Sequence, residues 1–172
     1  MSIVKKINNI DLKNFYSSGS TSGTIGTGQT RACVVFIPAN TFKAKDVIHL
    51  STVAVNSSTT QQWDMYFYWN TANTLTSAIE ISRTVNIPVG SEYCQFSRFF
   101  YLESSDGSGD GTLGLNSNAG AVRTAYTNVG SAIAVVTSNY SLNWTVDSYI
   151  MVVLSADANQ TIRNAWLKVS TF

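Results

Sequence analysis

Charge is the scarcest ingredient of this 172-residue chain: Asp, Glu, Lys and Arg together make up 12% of it, about half the usual share. Ser, Thr, Asn and Gly take their place. Long surface helices are normally faced with Glu, Lys and Arg, so the shortage disfavours them. Short strands joined by turns suit the same composition. Clusters of positive charge are missing too. Eleven basic residues balance 10 acidic ones for a net charge of +1, and Lys5–Lys6 is the one basic pair. Neutralising several phosphates needs a denser patch, so nucleic-acid binding is not expected. No apolar run is longer than Tyr149 to Leu154, which is strand-sized. A bilayer-spanning helix needs about 18 such residues, so no membrane insertion is expected. The opening MSIVKKINNIDLK has no secretory-type apolar stretch, and export by that route is not expected.

The shortage of histidine and cysteine narrows the chemistry further. His49 is the single histidine and lies in the apolar run DVIHLSTVAV. A Ser-His-Asp or Cys-His arrangement would have to use it, yet Gly-x-Ser-x-Gly and thiol-protease signatures are both missing. A histidine in such a strand reads as a packed, hydrogen-bonded residue. Cys33 and Cys94 sit in RACVVFI and YCQFSRFFYL and read as buried thiols, with a disulfide left open. With His49 they share no zinc-ligand spacing.

Asp106, Ser108 and Asp110, in DGSGDG, match the opening of a calcium loop. The closing glutamate is missing, because Ser117 stands there, and strand-like sequence replaces the flanking helices. A plain glycine-tolerant loop explains the same residues. Asp64 with Glu92 or Glu103 are the acids that share a groove most readily, but nothing pairs them for glycoside hydrolysis. The Asn-x-Ser/Thr triplets at Asn56, Asn139, Asn143 and Asn159 are at the level that chance produces in so Ser- and Thr-rich a chain. No catalytic residue, no cofactor and no metal are expected, and the chain reads as a non-enzyme.

What is present is strand after strand. Residues 1–16 carry Ile3, Ile7 and Ile10, and residues 17–30 are almost wholly small and polar. Together residues 1–30 read as an N-terminal arm and flexible linker, ahead of a β-sandwich domain over residues 31–172. Strands are expected at 30–37, 47–55, 61–69, 79–87, 93–103, 112–116, 121–126, 131–137, 140–146, 148–155 and 161–170. Turn signals such as Pro38–Ala39–Asn40, Asn70 to Asn73 and Asn128–Val129–Gly130 separate them. The helix candidate TLTSAIEIS, residues 74–82, reads better as strand near its end. The fold class is all-β, an antiparallel β-sandwich of the jelly-roll kind. A domain this long buries roughly 70% of its unfolded surface and needs no staple.

The clearest alternation puts Trp63, Met65, Phe67 and Trp69 on one face and Asp64, Tyr66, Tyr68 and Asn70 on the other. The first face is core. Strands 47–55 and 148–155 are apolar on both faces and belong at the centre of their sheets. Tyr66, Tyr68 and Tyr101 are the candidate binding residues, because amphipathic rings on a wet face recognise protein or sugar.

FIPANTFKAKDVIHLSTVAV, residues 36–55, resembles a segment of small jelly-roll structural modules of tailed bacteriophages. The shared pattern is a strand, Ile-Pro-Ala-Asn-Thr, a Lys-Ala-x-Asp turn and a strand opening on Val-Ile. The pattern usually carries Gly where this chain has Lys45. The resemblance implies a virion structural protein of the fibre, tail-tip or capsid-decoration type. It also implies a homo-oligomer, a trimer above all, in contact with other virion proteins. At a fibre tip such a module also binds a receptor, with a host surface glycan as the candidate ligand.

Overall fold

The computed structural model describes residues 14–19, 23–25, 28–56, 61–90, 93–102, 105, 113–115, 121–124, 127–131, 133–135, 141–156 and 160–171. Among them every regular element is a strand. In chain order these are β1 (Asn14–Gly19), β2 (Gly23–Ile25), β3 (Thr30–Ile37), β4 (Val47–Asn56), β5 (Trp63–Asn70), β6 (Ile79–Ile87) and β7 (Tyr93–Tyr101). They continue as β8 (Leu113–Leu115), β9 (Ala121–Thr124), β10 (Thr127–Ser131), β11 (Ile133–Val135), β12 (Ser148–Ala156) and β13 (Gln160–Thr171).

Two antiparallel sheets result. One, the β4 sheet, runs β1-β13-β4-β7-β9-β10, with β2 also on β13 and β8 on β7; the other, the β5 sheet, runs β11-β6-β5-β12-β3. The principal strands β1, β13, β4 and β7 thus face β3, β12, β5 and β6, and the chain crosses between them along a jelly-roll path. The expected sandwich is what the chain forms. Its core is the seam between the sheets, where the Phe67 ring of β5 stacks on Phe96 of β7 at 4.0 Å between centroids. Burying each such ring contributes about 1.5–3 kcal/mol. Arg98 also points into this seam, fully buried with its guanidinium 5.2 Å from the centre of the Phe96 ring.

β4 lies between β13 and β7, and β12 between β5 and β3, the central places that their two-sided apolar sequences demand. Cys33 and Cys94 are buried thiols that form no disulfide, and burial pushes the Cys94 thiol up to about 12. The 74–82 stretch turns at Leu75 to Ala78, where the Ala78 N–H donates to the Leu75 carbonyl at 3.1 Å, and enters β6 at Ile79.

Three expectations need correction. β1 and β2 fall in the stretch that reads as arm and linker, yet Asn14 to Gly19 pair with Ser170 to Ala165, and Gly23 to Ile25 with Ile162 to Gln160. The sheet therefore starts at Asn14 and not at residue 31. Small polar residues supply backbone donors and acceptors as well as any others, and β13 would otherwise present an open edge. Phe15 adds an apolar contact, its ring edge-on to Phe42 at 6.2 Å. Residues 1–13 lie outside the described ones.

Residues 141–146 are not a strand. Asn143 Oδ1 accepts hydrogen bonds from the Thr145 N–H at 2.9 Å and the Thr145 hydroxyl at 2.6 Å. That local closure competes with a ladder, although Leu142 and Trp144 on either side are buried in the core. Finally, Asn128–Val129–Gly130, read as a turn, lies within β10, where the register against β9 shifts between Asn128 and Gly130.

The turn between β3 and β4 is stitched to its surroundings. Asn40 N–H donates to the Trp144 carbonyl at 2.7 Å, Lys45 N–H to Leu102 at 2.6 Å, and Leu102 N–H returns to Asp46 at 2.9 Å. Phe42 plugs the end of the sandwich, edge-on to Trp144 at 5.1 Å. Asn40 and Lys45 have φ of 59° and 76°, the left-handed region that favours Gly and tolerates Asn. The Gly of the resembled pattern therefore corresponds to a position whose backbone asks for one.

Candidate functional site

The alternation of β5 sends Trp63, Met65, Phe67 and Trp69 inward and leaves Asp64, Tyr66 and Tyr68 half-buried on the outer face of the β5 sheet. Tyr66 lies opposite Val153 and Tyr68 opposite Met151 on β12. Val153 and Met151 are 0% exposed, although they point away from the core side taken by Ile150, Val152 and Leu154. The outer face thus carries a second, thin apolar layer of its own.

The two tyrosine rings stand 6.3 Å apart at an angle of 31°. Their hydroxyls are held. The Tyr66 hydroxyl donates to Asp64 Oδ2 at 3.0 Å and is also hydrogen-bonded to Ser155. The Tyr68 hydroxyl accepts from Gln29 Nε2 at 2.8 Å and faces Glu80 Oε2 at 3.5 Å. Burial is the main cause that pushes both phenol pKa values above the ordinary range, and the neighbouring carboxylates add to it. Asp64 is fixed in turn, its Oδ1 accepting the Asn86 N–H at 2.8 Å.

Two guanidiniums complete the face. Arg83 Nε lies 3.5 Å from Glu80 Oε1. Arg31, opposite Val153 on β3, donates from Nη1 to the Asn73 carbonyl at 3.0 Å. None of Gln29, Arg31, Glu80, Arg83 and Ser155 stands out in the sequence. Glu80 and Arg83 have the wrong spacing to share a strand face. A register shift between Phe67 and Tyr68 puts Glu80 opposite Tyr68 while Arg83 stays opposite Tyr66.

Tyr101, the third candidate, is not part of this site. On β7 the inward residues are Cys94, Phe96, Arg98 and Phe100, so Tyr101 falls on the outer face of the β4 sheet, opposite Val47. The sandwich separates it from Tyr66 and Tyr68 by its full thickness. His49 shares that face. Its Nε2 is 2.7 Å from Ser97 Oγ and its ring stacks on Phe99 at 4.4 Å. Burial, then the charge of Lys168, lowers its pKa.

Asp106, Ser108 and Asp110, together with Glu92 and Glu103, lie outside the described residues. Among the described residues no group of three or more His, Cys, Asp or Glu side chains is placed to hold a metal. A cavity of about 10 Å³ between the sheets, lined by apolar side chains including Ile48, Ile81, Phe100 and Trp144, has room for about one water molecule. No described helix is long and apolar enough to cross a membrane. Fold and site together define a jelly-roll sandwich with a hydrogen-bonded tyrosine face. Comparison of the chain with protein-family models, curated proteins and solved structures finds no match.

Proposed function

We propose that this chain is a non-enzymatic structural module of a virion, joined to further copies of itself and to other virion proteins. The observation that carries the reading is an exposed apolar patch at the β3 edge of the β5 sheet. Phe36 is 45% exposed and its ring lies 5.3 Å from that of Tyr149, while Val146, just before β12, is 40% exposed. Aromatic side chains left in water on an edge strand suit a protein partner. The resemblance of residues 36–55 to phage jelly-roll modules supplies the setting, and the residues before Asn14 serve as the attaching arm.

Self-association is tested by the mass of the full chain in solution. A trimer at micromolar concentration is expected, and Phe36→Ser combined with Val146→Ser shifts it towards monomer. A wild-type monomer with no higher species overturns the reading.

A further inference from the structure

We propose that the outer face of the β5 sheet binds a neutral, extended oligosaccharide, with Tyr66 and Tyr68 as the stacking residues. The proposal goes beyond the assembly reading and does not depend on it. Sugar recognition asks for rigid aromatic surface to meet the C–H faces of pyranose rings, and for planar polar groups that take pairs of hydroxyls. Both are present on one face.

Rigidity comes first. Each phenol hydroxyl is tied to neighbouring side chains: Tyr66 to Asp64 on its own strand and Ser155 on β12, Tyr68 to Gln29 just before β3 and Glu80 on β6. Rings held this way lose little freedom on binding, which is where affinity for a weakly interacting ligand is otherwise lost. Their separation of 6.3 Å along one strand, with planes only 31° apart, is close to one sugar step of an extended chain.

Charge then selects the ligand. The described charged side chains beside the rings are the carboxylates of Asp64 and Glu80 and the guanidiniums of Arg31 and Arg83. Glu80 and Arg83 are paired at 3.5 Å, and Arg31 is anchored on Asn73. The signs cancel, so the face has no net field to attract an acidic glycan or a basic peptide. Carboxylate acceptors and guanidinium donors remain on either side of the rings to receive hydroxyls.

The full chain is titrated with cellohexaose and chitohexaose as neutral probes and with a heparin hexasaccharide as the charged comparator. The read-outs are calorimetry and intrinsic fluorescence. Binding of at least one neutral probe is expected, with the heparin fragment weaker. Tyr66→Leu and Tyr68→Leu keep apolar cover over β12 while removing the flat rings, so the fold is retained, as circular dichroism checks. Each is expected to weaken binding about tenfold; Tyr68→Phe, which keeps the ring but frees it from Gln29 and Glu80, weakens binding by less than Tyr68→Leu, and Tyr101→Leu on the opposite sheet leaves it unaltered. The proposal is overturned if neither neutral probe binds at millimolar concentration, if the heparin fragment binds more tightly, or if the leucine variants bind as well as the wild type. An equal loss in Tyr101→Leu also overturns it.

Discussion

The two outer faces of the roll follow the same strand alternation but treat their aromatic residues differently. On the β5 sheet, Tyr66 and Tyr68 are half-buried, their hydroxyls tied to Asp64, Ser155, Gln29 and Glu80, above the sealed side chains of Met151 and Val153. On the β4 sheet, Trp166 is 38% exposed, and the His49 ring stacks on Phe99 with its Nε2 2.7 Å from Ser97 Oγ. Tyr66 and Tyr68 belong to an outer layer of the fold itself, whereas Trp166 spreads exposed ring over its own sheet. An aromatic residue on an outer face therefore contributes to stability according to what lies beneath it and what holds its polar end.

Substitutions test that difference most directly. Tyr68→Ala removes a ring over Met151 and two hydroxyl contacts, so a loss of about 2 kcal/mol is expected. Trp166→Ala removes a ring already 38% exposed, and a loss under about 1 kcal/mol is expected. Urea denaturation of both variants with unchanged m values measures the gap. Equal losses would dissolve the contrast between the faces.

How much of this was legible beforehand depends on whether a feature is local. The β5 alternation from Trp63 to Asn70 is local, and core and wet face separated as it indicates. β1 is not: in NFYSSG the apolar Phe15 and Tyr16 are adjacent and give no alternation, and its place comes from backbone pairing with β13. Residues 141–146 misled through Leu142 and Trp144, because a strand-like alternation also fits a turn whose apolar residues reach the core. Tyr101 was grouped with Tyr66 and Tyr68 because all three are outward on their own strands. Which sheet each strand joins is set by tertiary pairing, so the grouping fails across the sandwich. The partners Gln29 and Glu80 reach Tyr68 only through folding, and the Glu80–Arg83 alignment depends on a bulge.

A change remote from both faces gives a reference for their scale. Lys45 holds φ of 76° in the turn between β3 and β4, and its N–H is committed to Leu102. Lys45→Gly relieves the side-chain penalty in the left-handed region at some cost in unfolded-state entropy. The net gain expected is about 0.5–1 kcal/mol, seen as a higher urea midpoint. A lower midpoint would mean that the lysine side chain contributes more than its backbone strain costs.

The smallest effects are the pH dependences, and the two faces should differ in direction. His49 has a folded-state pKa below its unfolded value of 6.5, through burial and then Lys168. The folded protein therefore binds fewer protons than the unfolded chain in that range, and stability falls as pH drops below 6.5. Tyr66 and Tyr68 have pKa values raised above 10.0, again mainly by burial. Their contribution is complete below pH 10.0 and is lost as pH rises through the folded values, because the unfolded chain ionises first. All three groups are partly exposed and screened, so both slopes are shallow. Urea midpoints across the two ranges measure them, with His49→Gln removing the acid slope and Tyr68→Phe reducing the alkaline one. An acid slope that survives in His49→Gln would assign it to carboxylates and not to the imidazole.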